Sequence, residues 1–270
     1  MRYQKGTIDI NRAHDEPILT WVLRCGFIST GQLWRFLTLE GLRLPRRSFS
    51  WRLQRLVEHG LIRQWKVPIV AREAVYSIDA LGVAHMMGRG EYCAGARDRF
   101  ENGNENTAIL HALDLNEIRL ALDESGVLSR WRSDTEIRAQ NEFTTFGYAK
   151  DYDAIVTVRL DGYESEFALE YERTPKAAKK YVAIRKAIDS ETRITMFLYV
   201  TVNFHVLNFV TQFFERSRKP VYFGMLDEFR VGRMDMKVMD GTRRYTYVLK
   251  DLLTAGSHQP TVARVALPAQ

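Results

Sequence analysis

The chain has 270 residues, 46% hydrophobic and 27% charged, with a net charge of +6. That is apolar material for one large domain or two modest ones, and no apolar run nears the roughly 20 residues of a membrane span. MRYQKGTIDINRAHDE lacks a secretory leader and Cys25 and Cys93 form no CxxC pair, so a reduced, cytoplasmic setting without a membrane partner is expected.

The charge is unevenly spread. Residues 1–90 carry 14 Lys and Arg against 7 Asp and Glu, whereas residues 91–270 carry 25 against 26. A basic first third points to a polyanionic partner.

Residues 1–14 have no periodic pattern and read as a flexible arm. A helix is predicted over 16–24, with Pro17 in its first turn, where a missing N–H costs little. Ile18, Trp21 and Val22 form its apolar face. Ser29 and Gln32 make a capping box for a second helix over 30–37, with Ile28 and Leu33 as a hydrophobic staple. A third helix runs over 45–59, opened by Pro45 and stopped by Gly60. Phe49, Leu53, Leu56 and Val57 give its buried stripe. Arg46, Arg47, Ser50, Trp51, Gln54 and Arg55 give the opposite, basic face. LIRQWKV, a turn near Pro68 and EAVYSI read as a hairpin carrying Arg63, Lys66 and Arg72. Asp79 caps a closing helix over 80–87.

The run RLQRLVEHGLIRQW followed by AVYSIDALGVAHM resembles the winged helix-turn-helix family, assigning 15–88 to such a domain. The resemblance implies that the third helix enters the major groove while the wing touches backbone. Arg then reads guanine edges and Lys or Arg neutralises phosphates. Double-stranded DNA is the expected partner, through the nine polar and aromatic residues named from Arg46 to Arg72. The resemblance is also compatible with a homodimer. Residues 89–105, rich in Gly and charge with an Asn102-Gly103 turn signal, read as a linker.

A helix over 106–125 sets Glu117 on a stripe with Leu110, Leu113 and Ala121. A carboxylate there must be paired, ligate something or reach water at the stripe's edge. His111 reads as a packing or surface residue. Strands are predicted over 131–137, 148–160 and 165–173, with a turn at Asp161-Gly162. Pro175 opens a helix through Ile188 that carries Lys176, Lys179 and Lys180. RITMFLYVTV, 193–202, reads as a strand buried on both faces. Asn203 caps a helix over 204–216, and 221–226 is a last central strand. Short strands with a turn of helix over 229–253 precede a flexible tail, 254–270.

Glu170 and Glu172 share a strand face, with Tyr171 on the other. Across the hairpin, Asp153 can lie beside them. Three converging carboxylates repel unless a cation sits among them, and a divalent ion is the usual answer. The alternative is a solvated edge strand whose carboxylates pair with Arg173 or Lys176.

The order helix, three strands, helix, strand, helix, strand resembles the restriction-endonuclease-like fold of the PD-(D/E)XK nucleases. It assigns 106–253 to an α/β domain with a central mixed sheet flanked by helices. Asp153 matches the family's strand-start Asp, with Tyr152 where the family often has Pro. Glu170-Tyr171-Glu172 matches the acidic-X-Lys triplet, except that Glu172 replaces Lys. The resemblance implies Mg2+ (or Mn2+) held by Asp153 and Glu170, with Glu117 as an added ligand and no small-molecule cofactor. The ion polarises a phosphoryl oxygen and activates water, and a lysine stabilises developing charge. Asp153, Glu170, Glu172, Lys176 and Lys180 are the catalytic candidates. The two domains together also resemble the replication-relaxation family of plasmid- and mobile-element-associated proteins, implicated in replication and mobilisation. The expected function is a metal-dependent DNA endonuclease or nickase. The alternative is a non-catalytic DNA-binding regulator with a degenerate nuclease fold.

Overall fold

The computed structural model describes residues 8–67, 73–93 and 106–254, with 105, 263 and 264 as backbone. The predicted turns near Pro68 and at Asn102-Gly103, most of the linker, and Arg72 lie outside the described residues. The protein is mixed α/β and divides into two compact units, residues 1–120 and 121–270. No helix among the described residues is long and apolar enough to cross a membrane.

The first unit begins with α1 (Glu16–Cys25), β1 (Ile28–Ser29), α2 (Thr30–Leu39) and α3 (Arg46–Glu58). β2 (Ile62–Trp65), β3 (Val75–Ile78) and α4 (Ala80–Gly88) follow. The sheet order is β1-β3-β2. The local chemistry explains the boundaries. The Ser29–Gln32 capping box is formed, and Gly60 leaves α3 at φ +66, a conformation that favours glycine. Asp79 accepts the Ala80 N–H at 2.8 Å. Ile18, Leu33, Phe36, Phe49, Leu53 and Leu56 meet in one core, each contributing roughly 2 kcal/mol by burial.

Two features depart from the sequence reading. The described part of the predicted arm, 8–14, is packed: Ile8 and Ile10 lie against the core, and the Asn11 N–H donates to Asp15 Oδ2 at 2.9 Å. Two isoleucines and a buried carboxylate that accepts from the segment's backbone outweigh the missing periodicity. The unit boundary also falls inside α5 (Glu105–Glu124) and not in the predicted linker. Ile109 and Leu113 pack with Phe27, Val67 and Val75, and Leu120 joins the first core.

The second unit is built on an eight-stranded sheet, order β11-β10-β9-β8-β7-β6-β5-β4. β4 (Leu128–Ser133), β5 (Ala154–Leu160) and β6 (Tyr163–Glu172) form an antiparallel meander. β7 (Phe197–Thr201) and β8 (Val221–Met225) run parallel to β6. They are reached through α7 (Ala178–Ser190) and α8 (Phe204–Thr211), since parallel neighbours need a crossover. After α9 (Leu226–Gly232), β9 (Lys237–Asp240), β10 (Tyr245–Val248) and β11 (Ala263–Arg264) extend the sheet antiparallel, with α10 (Leu249–Thr254) after β10. Tyr181, Phe197, Tyr199, Phe214 and Phe223 fill the core on one face of the sheet.

Here too the elements differ from prediction at their ends. The strand expected over 131–137 stops at Ser133, whose capping box with Glu136 starts α6 (Asp134–Phe143). The strand expected from 148 begins only at Ala154. α7 starts at Ala178, leaving Pro175 and Lys176 in the preceding turn. α8 ends at Thr211, short of 216. Within the predicted tail, Ala263–Arg264 pairs with β10.

Candidate functional site

The β5–β6 hairpin positions the acidic residues. Asp161 (φ 48) and Gly162 (φ 84) both adopt left-handed backbone, the geometry of a two-residue hairpin turn whose twist matches the strands. This fixes Leu160 opposite Tyr163 and, six pairs along, Ala154 opposite Leu169. Asp153, one step beyond, lies level with Glu170, and its Oδ2 accepts the Tyr171 N–H at 2.7 Å. Parallel pairing then aligns Glu170 with Tyr199 and Glu172 with Thr201. Neighbours in register project to the same face, so Asp153, Glu170, Glu172 and Tyr199 share one side of the sheet. Glu170 and Glu172 are each only 4% exposed, so they are not solvated on an edge strand, although the Lys176 pairing of that alternative is formed at Glu172.

Buried carboxylates require partners, and two lysines supply them. The Lys150 ammonium pairs with Glu170 Oε1. The Lys176 ammonium meets Glu172 Oε2 at 2.6 Å. Both lysines are held by their surroundings. The segment carrying Lys150 is pinned by Glu191, itself 2% exposed. Its Oε2 accepts the Ala149 N–H at 2.9 Å and the Tyr152 hydroxyl at 3.2 Å. Lys150 also lies 4.5 Å from the Tyr152 ring centroid. The backbone N–H of Lys176 donates to the Tyr181 hydroxyl at 2.9 Å.

The electrostatics follow. Burial pushes the Glu170 carboxyl above the usual carboxylate range, Lys150 pulls it down, and neighbouring Asp153 pushes it up. Burial pulls Lys176 down, but Glu172, Glu170 and Asp153 together outweigh it and raise the lysine above its ordinary value, keeping it charged. Tyr199 is 0% exposed. Burial pushes its phenol well up, and Glu170, Glu172 and Asp153 push it further. Its hydroxyl has no hydrogen-bond partner among the described residues.

The sequence-derived candidates thus divide. Asp153, Glu170, Glu172 and Lys176 come together. Lys180 lies exposed on α7. The Glu117 carboxylate is engaged within the first unit, accepting from Gln32 Nε2 and Arg35 Nη1, each at 2.8 Å. Its place on an apolar stripe is explained by that network. Lys150, Tyr199 and Glu191 are additions that sequence reasoning missed. Lys150 stands three residues before Asp153 in KDYD, a readable signal. Tyr199 is hidden in an apolar run, where only the register with β6 gives it meaning.

On the first unit, Arg46, Arg47, Ser50, Trp51 and Gln54 are exposed on α3, Trp51 at 53%. The Arg46 guanidinium lies 4.8 Å from the Trp34 ring centroid, and Gln54 Nε2 donates to Glu58 at 2.9 Å. Arg63 and Lys66 are exposed on and beside β2, with Arg63 Nη2 3.3 Å from Asp79. Arg55 departs from the predicted face. It pairs with Asp15, which is 0% exposed and also receives Arg52 Nη1 at 2.7 Å. A fully buried carboxylate is a stronger claim on Arg55 than solvent.

No family model, curated protein or solved structure matches the chain.

Among the described residues, no group of three or more His, Cys, Asp and Glu side chains is gathered as a metal cage. Mg2+ needs less, since it commonly binds one or two carboxylates and takes its other ligands from water and phosphate. Asp153 and Glu170 fit that smaller demand. They are neighbouring carboxylates on one face, with an unpartnered buried hydroxyl, Tyr199, in their field.

Proposed function

We propose that this protein binds double-stranded DNA through α3 and the β2–β3 hairpin, and hydrolyses a phosphodiester with the second unit. The observation that carries this reading is the grouping of Asp153, Glu170, Lys150 and Lys176 on one sheet face. The helix–helix–helix–hairpin order of the first unit and the exposed Arg46, Arg47 and Trp51 support winged-helix binding. The meander followed by parallel β7 and β8 supports a nuclease-like second unit.

Asp153 and Glu170 would hold Mg2+ or Mn2+. When bound, the ion supplies Lewis-acid polarisation and a more acidic water. The chain's own residues do the rest. The Tyr171 N–H fixes the Asp153 carboxylate. Lys176, kept charged by the acidic group, offers an ammonium to the phosphate where the triplet has Glu172. Glu191 orients the segment that delivers Lys150.

A second reading is a DNA-binding regulator that does not cleave. It is favoured by the two ion pairs, which neutralise Glu170 and Glu172 within the protein. Supercoiled plasmid incubated with the protein and Mg2+ or Mn2+ decides between them. The nuclease reading expects nicked product that Asp153→Asn and Glu170→Gln abolish. Product equal in wild type and both variants, or none at all, leaves the regulator.

A further inference from the structure

This inference rests on the metal-site reading of Asp153 and Glu170. The two lysines of the acidic face are held differently. Lys176 is tied through both ends, its ammonium to Glu172 and its backbone N–H to Tyr181. Lys150, its side chain 18% exposed against 37% for Lys176, differs in having further partners for its ammonium. Besides Glu170, its ammonium already donates to the Asp151 carbonyl at 2.9 Å and lies against the Tyr152 ring. It therefore has neighbours to hold it when it leaves the carboxylate. We infer that Lys150 is a resident counter-cation at Glu170 that a divalent ion must displace, and that the displaced ammonium then meets the phosphate of the substrate.

The reasoning is one of competing charges. Glu170 is nearly sealed from water, so its charge must be matched by an adjacent cation. Lys150 supplies that match. A second cation on the same carboxylate is repelled by the first unless the ammonium withdraws. Asp153 lies beside Glu170 and adds negative charge to its surroundings, and Lys176 adds positive charge. Tyr199 is the independent sign that this face serves more than ion pairing. A buried hydroxyl is normally satisfied. This one has no hydrogen-bond partner among the described residues, although it shares register and face with Glu170. The withdrawn ammonium would stand on the segment just ahead of Asp153, and the fixed Glu191 hydrogen bonds keep that segment in place. Lys150 would thus add a second ammonium to the one that Lys176 offers the phosphate.

The test is calorimetric titration of Mn2+ into the full-length wild type, Lys150→Met, Lys150→Arg and Asp153→Asn, with plasmid nicking in parallel. Removing the resident ammonium is expected to tighten Mn2+ binding about tenfold in Lys150→Met, while nicking falls. Lys150→Arg is expected to bind Mn2+ more weakly than wild type, because a guanidinium grips a carboxylate through two N–H groups. Equal or weaker Mn2+ binding by Lys150→Met overturns the inference and leaves the metal site standing. Should Lys150→Met not fold, Lys150→Arg binding as tightly as wild type overturns it. Wild type and Asp153→Asn binding Mn2+ alike removes the metal-site reading itself, and the inference with it.

Discussion

Glu170 on β6 and Tyr199 on β7 are register partners in the parallel part of the sheet, on the same face and both all but sealed from solvent. One is a carboxylate with an internal counter-charge. The other is a phenol whose hydroxyl has no hydrogen-bond partner among the described residues. An unsatisfied buried hydroxyl costs stability, so its place beside Glu170 calls for an explanation.

Tyr199→Phe removes that hydroxyl and nothing more. Thermal or urea unfolding is expected to show a variant as stable as wild type, or more stable by up to about 1 kcal/mol. Plasmid nicking is expected to fall. A variant that is less stable and fully active would mean the hydroxyl serves only the fold.

Asp15 anchors the first unit, holding Arg52 and Arg55 from a position without solvent exposure. Asp15→Ala leaves two guanidinium groups beside an emptied site. The expected loss is about 3 kcal/mol of unfolding free energy, because breaking one side of a buried pair strands the other. Urea denaturation measures it, and a loss within about 0.5 kcal/mol of zero would contradict the structural role given to the pair.

The two candidate lysines of the α7 region should separate cleanly. Lys176→Met strands the buried Glu172, at a cost of about 1–2 kcal/mol. The figure is discounted because 37% of the Lys176 side chain is exposed. Nicking should fall with it. Lys180→Met, on an exposed turn of α7, should change unfolding by less than about 0.5 kcal/mol and leave nicking intact. A larger effect at Lys180 than at Lys176 would reverse the assignment of the two.

Arg46 and Arg47 are exposed on α3, whereas Arg55 is held by Asp15. The double change Arg46→Ala and Arg47→Ala should weaken DNA binding across sequences. It should flatten the dependence of log affinity on log salt by about 1.8, near 0.9 for each phosphate no longer neutralised. Fluorescence anisotropy across a salt series gives the slope. An unchanged slope would place the phosphate-binding groups elsewhere on the protein.

The first unit was largely legible because its cues are local. Pro45, Gly60, Asp79 and the Ser29–Gln32 pair each act within a few residues, and they set the helix ends found. The acidic face was half legible. Glu170 and Glu172 follow from strand alternation, and Asp153 from the hairpin. Their partners did not follow, because Lys150 depends on a segment held by distant Glu191 and Tyr199 depends on parallel pairing. Glu117 misled for the same reason: an isolated acid on an apolar stripe shows that a partner is needed, not that Arg35 and Gln32 provide it. Arg55 was misplaced because helical periodicity treats residue 15 as remote, while the fold brings it into contact. The Ser133–Glu136 box was a local cue left unused, and it is what ends β4.

The turn at Asp161 and Gly162 has a consequence for how this chain can vary. Side chains on a strand alternate, so slipping the hairpin by one residue would change which of them share a face across it. A slip of one residue between β5 and β6 would take Asp153 out of line with Glu170, whereas the β6–β7 pairing would still hold Glu170 beside Tyr199. A variant with a longer turn here would have to preserve the β5–β6 register for Asp153 to stay beside Glu170.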